Sequence, residues 1–163
     1  MDWIPVAGTL LGTLVGAGSA FSLERLRVRS SYDQEGRRSR AEAYITFIDA
    51  LHESSGAIRT LALRINQVPE AEWRPQAREA FRSSGLYSAR ERLILLAPEA
   101  VVHMANDLFI TLRSKRNAVA AGHDAHSPEY MQASNSYAEA LQTLRSEIRK
   151  DLGRGALKRR VEY

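Results

Sequence analysis

The sequence predicts an all-α protein: an N-terminal apolar, transmembrane-like helix followed by an antiparallel four-helix bundle. Three observations carry this expectation. Residues 3–23 run for 21 positions without a charge and then meet a row of arginines. From residue 37 onward, apolar side chains recur at alternating steps of three and four, the period of one helix face. No stretch alternates apolar and polar residues at the period of two that a half-buried strand shows.

The opening run, "WIPVAGTLLGTLVGAGSAFSL", measures about 31 Å as a helix, close to one hydrocarbon core. Pro5 falls in the first turn, where a missing N–H costs least, and Trp3 sits where an indole favours the headgroup layer. A cleaved export signal carries its basic residues before the apolar core; here Met1 and Asp2 precede it and the arginines follow. The same order, read for a retained span, places the N-terminus outside and residues 24–163 in the cytoplasm, because positive residues stay inside. Arg25, Arg27 and Arg29 are the expected topology and membrane-surface residues, each worth about 1 kcal/mol near anionic headgroups. Gly8, Gly12 and Gly16 recur every four residues, and Ala20 continues the series. That spacing lines them up on one helix face, and a stripe of small residues lets two backbones approach closely inside lipid. Self-association through Gly8, Gly12, Gly16 and Ala20 is therefore expected. A helix buried inside a soluble assembly is the alternative use of the same run.

The first bundle helix follows from Ala41, Tyr44, Ile48, Leu51, Ser55, Ile58, Ala62 and Ile65, an alternating seam that Ile45, Phe47 and Leu61 widen into a core-facing stripe. It ends near Asn66, ahead of Pro69. Its start is open: Ser30–Ser31 and Gly36 mark a bend, or one long helix runs through to Asn66. A second helix is expected over 73–97, with Trp73, Ala77, Phe81, Leu93 and Leu96 in the core and "SSG" at 83–85 as its weakest point. Pro98 opens a third helix at its first position, lined by Val101, Ala105, Leu108 and Leu112 and stopped by Gly122. Ser127 as N-cap and Pro128 in the first turn open a fourth, stepping through Tyr130, Ser134, Tyr137, Leu141, Leu144 and Ile148 until "GRG" at 153–155. The expected organisation is thus an apolar helix over 1–23, a basic juxtamembrane segment over 24–40, a bundle over 41–152 and a basic tail over 153–163.

The chain has 163 residues, is 44% hydrophobic and 26% charged, and has no cysteine. Disulfides, thiol nucleophiles and Cys-ligated metals are excluded. The net charge of +4 is uneven. Arg25, Arg27, Arg29, Arg37, Arg38 and Arg40 face only Glu24, Asp33 and Glu35, and the last fifteen residues are also basic, which leaves a slightly acidic body between two basic ends. The tail "LKRRVEY" suits a membrane surface or an acidic protein partner. Nucleic-acid binding is not expected, because no aromatic and basic interleaving accompanies the charge.

"GHDAHSP" at 122–128 brings His123, Asp124 and His126 into a loop, but no third distant ligand pairs with them, so no metal is expected. His52 and His103 stand alone. "REAFR" and "ARERL" read as helix-surface charge patterns. No Gly-rich phosphate loop, nucleophile elbow, Glu-x-x-His pair or H-E-x-x-H is present. No cofactor and no enzymatic activity are expected.

The order of parts resembles a group of small actinobacterial-type proteins of unknown function: an apolar N-terminal helix, an Arg-rich junction and an "R…AY..F" helix opening a small bundle. Here the matching residues are Arg40, Ala43, Tyr44 and Phe47, followed by "RLILLAPEAV" at 92–101. The resemblance implies the fold and the membrane placement, and implies no activity. Together these readings give the functional expectation of a membrane-anchored, homo-oligomeric scaffold that presents a cytoplasmic bundle to partners. The rival expectations are a pore-forming or permeabilising effector built from the same glycine-striped helices, and a soluble oligomer that sequesters them.

Overall fold

The computed structural model describes residues 34–154 in full, together with the helical backbone of 4–33. Five α-helices and no strand occur among the described residues: α1 (Ile4–Arg64), α2 (Glu70–Arg82), α3 (Leu86–Leu96), α4 (Glu99–Ala120) and α5 (Pro128–Asp151), with a 3-10 turn over Ile65–Gln67. The chain divides into two compact units, 1–39 and 40–163. Most of the first, up to residue 33, is described only by the helical backbone of α1. Among the described residues no helix is long and apolar enough to cross a membrane; the run 3–23 lies outside the residues described in full.

The second unit is a helical bundle with one continuous core. Tyr44, Phe47, Leu51, Ile58 and Ile65 of α1 and the turn after it meet Phe81, Leu86 and Leu93 of α2 and α3, Leu108 and Leu112 of α4, and Leu144 of α5, all fully buried. Burying each such side chain contributes roughly 1.5–3 kcal/mol, which is what holds helices of modest intrinsic propensity together. Cross-links along α1 and α5 fix their opposed directions. Near the start of the unit, Arg40 Nε and Tyr44 Oη donate to Asp151 Oδ2 at 3.1 and 2.7 Å. Further on, Tyr137 Oη donates to the Leu51 carbonyl at 3.4 Å, and the Ala125 N–H reaches the Ala62 carbonyl at 3.3 Å. The partners' numbers rise on α1 as they fall toward and along α5, so the two run antiparallel.

The helix starts and stops follow from local chemistry. Ser127 accepts from the Tyr130 N–H at 3.3 Å and Pro128 takes the first helical position, as the sequence predicts. Gly122 (φ 88°) and Gly153 (φ 72°) adopt the left-handed conformation that lets a helix end sharply. Pro98 sits one place earlier than predicted, at the N-cap itself, with Glu99 starting α4.

Three expectations are corrected. The predicted helix over 73–97 is two helices, because Ser83 and Ser84 are weak helix formers and Gly85 turns left-handed at φ 66°. Ile45 does not widen the α1 seam; it is 61% exposed, since one residue beyond Tyr44 is a rotation of about 100° off the buried face. Leu96 is not a core contact either: as the last residue of α3 it is 38% exposed, and Leu93 alone anchors that end of the helix.

Candidate functional site

The residues the sequence singles out for self-association (Gly8, Gly12, Gly16 and Ala20) and for the membrane surface (Arg25, Arg27 and Arg29) lie outside the residues described in full. The loop histidines are engaged locally. His123 Nδ1 lies 3.4 Å from Glu129 Oε2, and Asp124 Oδ1 accepts the His126 N–H at 2.8 Å in an Asx-type turn. Among the described residues no group of three or more His, Cys, Asp or Glu side chains is arranged to hold a metal ion. His103 lies on the exposed surface of α4 beside Glu99 at 3.3 Å. His52 is not alone: Arg145 Nη2 approaches its Nε2 at 2.8 Å, and burial followed by that guanidinium pushes the imidazole pKa down, against a smaller pull upward from Asp49.

Two constellations in the bundle stand out. The first is a polar layer inside the core. Val101, Ala105, Leu108 and Leu112 continue at the same alternating step to Lys115 and Val119, so a lysine occupies a core position of α4. Lys115 is 4% exposed. Its Nζ donates to Ser55 Oγ of α1 at 2.8 Å and lies 5.4 and 5.5 Å from the ring centroids of Tyr130 and Tyr137 of α5. These contacts solvate the ammonium without a carboxylate. Burial, with a smaller push from Arg59, lowers its pKa to about 8. Burial raises both tyrosines to about 12. The Tyr130 hydroxyl is buried with no hydrogen-bond partner. A lysine with its pKa lowered to about 8 is chemically a base or an amine nucleophile, but this one is enclosed, tying α1 to α4 and lying against two rings of α5.

The second constellation runs from the edge of the core, at Phe81 and Phe109, out to the surface between α2 and α4. Phe81, Tyr87 and Phe109 pack edge to face, with centroids 5.3–5.8 Å apart, where the chain breaks between α2 and α3. Each flank of this cluster carries a guanidinium. Arg90 stacks on Phe109 at 5.1 Å and is clipped to Asn106 Oδ1 by Nε and Nη2. Arg116 stacks on Phe81 at 5.0 Å and is clipped to Asn117 Oδ1 by Nε and Nη2 at 3.2 and 2.7 Å. Arg116, Arg74, Arg78, Asn117, Ala120 and Ala121 line an open cavity of about 280 Å³. A second hollow of about 590 Å³ shares Arg74, Ala120 and Ala121 and adds Glu70, Ala71 and Trp73. Burial, then Arg113, then Arg78 depress the Arg116 pKa, while Tyr87 opposes them.

Sequence reasoning passed over both constellations. Lys115 was detectable by extending the α4 seam one step past Leu112. Arg78 belongs to "REAFR", read as an ordinary charged surface; only the packing of α2 on α4 brings it to the same cavity as Arg116. No protein-family pattern, curated protein or solved structure matches this chain.

Proposed function

We propose that the chain is a membrane-anchored, self-associating helical scaffold whose bundle recruits partners on the cytoplasmic side. The observation that carries this reading is the order of the N-terminal segment: 21 uncharged residues followed by Arg25, Arg27 and Arg29. Length meets the hydrocarbon thickness and the charge order fixes the orientation. The aligned Gly8, Gly12, Gly16 and Ala20 support association between copies, because close backbone approach replaces the hydrophobic force that lipid removes. The helical bundle supports the recruitment half of the reading, since it presents a charged surface groove rather than a closed chamber.

Membrane fractionation of the expressed chain tests the anchor. The expected result is retention in the membrane pellet through high salt and alkaline carbonate, with release only by detergent. Release by carbonate overturns the span. Sizing the chain with and without residues 1–23 then separates the rival arrangements. A detergent-dependent oligomer that becomes a monomer on truncation is expected; a large detergent-free particle would instead identify a soluble assembly with the N-terminal helices inside.

A further inference from the structure

The cavity between α2 and α4 gathers Arg74, Arg78 and Arg116 in its lining. Among the described residues, no carboxylate lies within ion-pair distance of Arg74, Arg78, Arg113 or Arg116. The bundle as a whole does not account for this, because residues 41–148 carry slightly more acidic than basic groups. The charge is concentrated by packing: Arg74 and Arg78 are one turn apart on α2, and Arg116 meets them from α4. Arg116 is also held in place before any ligand arrives. Stacking on Phe81 and two hydrogen bonds to Asn117 Oδ1 fix its plane while leaving its remaining N–H groups available. With its oxygen occupied, the Asn117 amide has its N–H groups left to donate. Ala120 and Ala121 complete the lining with short side chains that leave the space open. Glu70, in the adjoining hollow, sets a negative limit at one end.

We propose that this cavity is a binding site for a phosphate group. Three arginines lining one cavity suit a tetrahedral, multiply charged anion with several acceptor oxygens better than a carboxylate with two. The volume of about 280 Å³ admits a phosphoryl group with a small substituent. A soluble phosphate and a phosphomonoester lipid headgroup share this chemistry. The site stands independently of the membrane reading, because it belongs to the bundle alone.

The test uses the full-length chain in detergent micelles, with inorganic pyrophosphate as the soluble probe and titration calorimetry as the readout. Saturable binding is expected, weakened about tenfold or more in Arg78→Gln and in Arg116→Gln. Arg116→Lys keeps the charge but loses the clipped fork, so an intermediate loss is expected. Arg64→Gln removes the same charge from the end of α1, where Arg64 lines a different hollow, and is expected to change affinity less than about twofold. Circular dichroism of each variant confirms the fold. In a second arm, short-chain phosphatidic acid or, at equal charge, short-chain phosphatidylglycerol is titrated into the same micelles. A preference for phosphatidic acid that Arg116→Gln abolishes identifies the lipid headgroup as the source. Pyrophosphate binding without that preference identifies a soluble phosphate. Absence of saturation in both arms, or equal binding by all variants, overturns the proposal.

Discussion

Lys115 is a buried residue whose ionisation couples to the stability of the bundle. Its folded pKa of about 8 lies below the value near 10.4 it takes in an unfolded chain. Between those limits the unfolded state binds a proton that the folded state has released, so stability rises with pH through that window. The opposing groups are Tyr130 and Tyr137, held up at about 12 by burial; above about pH 10 they stay protonated only when folded, and stability falls as the unfolded phenols ionise. Urea unfolding followed against pH is therefore expected to show a maximum near pH 10. Lys115→Met should remove the rise between pH 8 and 10 and should gain about 1–2 kcal/mol at pH 7, since a buried charge is exchanged for an apolar chain of similar length. An unchanged pH profile in that variant would show that Lys115 is solvated rather than enclosed. Gly122 makes a second residue-scale case. Its φ is positive and a Cβ there would run into the Trp73 ring, whereas Gly85 and Gly153 share the positive φ but have open space. Thermal unfolding should show Gly122→Ala costing about 2–4 kcal/mol and Gly85→Ala about 1 kcal/mol. Of these residues, Gly122 and Gly153 were legible in the sequence as helix stops. Lys115 was not read, because a lysine at a core step is judged by its neighbours across the bundle, Ser55, Tyr130 and Tyr137, which come from other helices.

At the scale of elements, α4 and α5 match their expected seams nearly residue for residue, because alternating three and four is enough to define a buried face. The predicted helix over 73–97, which is α2 and α3, shows where that logic stops. "SSG" marked a weak point, yet whether a weak point bends, frays or breaks depends on what packs against it. Phe81, Tyr87 and Phe109 fill the corner, and that cluster makes the break a built joint between α2 and α3. Phe109→Leu should therefore loosen α2 and α3 together, seen as faster amide exchange in both helices with α5 little affected. The closure of α1 on α5 depends on Asp151, which accepts from Tyr44 and Arg40 at a half-buried site. Burial, together with the hydrogen bond and the negative charge of Asp151, drives the Tyr44 pKa well above the usual phenol range, so the phenol remains a donor at any ordinary pH. Tyr44→Phe is expected to cost about 1.5–3 kcal/mol in chemical denaturation, the range for a hydrogen bond to a charged acceptor.

For the whole molecule, the proposed function joins a helix that packs against copies of itself to a bundle with an arginine-lined groove. The two parts respond to different substitutions. Gly12→Leu should fill the glycine stripe and lower the oligomeric state in detergent, measured by sedimentation, while leaving the thermal unfolding of the bundle in place. Arg116→Gln should leave both the oligomeric state and the thermal unfolding of the bundle in place and weaken pyrophosphate binding alone. If Gly12→Leu leaves the oligomer intact, association runs through another surface. If instead overexpression of the parent chain depolarises cells and Gly12→Leu abolishes that effect, the membrane-active alternative takes precedence over the scaffold.

The sequence alone determined that the described residues are helical, where α1, α3, α4 and α5 stop, where α4 and α5 start, and most of the face each of those two buries. Periodicity, capping residues and positive-φ glycines are local properties, and each is written within a few residues. The tertiary structure decided what two helices hold between them. The enclosure of Lys115 by three helices, the joint at 83–85 and the meeting of Arg78 with Arg116 all depend on side chains distant in sequence and adjacent only after packing. Charge and polarity acquire a role only when their surroundings are known, because the cost of burying a charge, and the value of leaving one uncompensated, belong to the environment rather than to the residue.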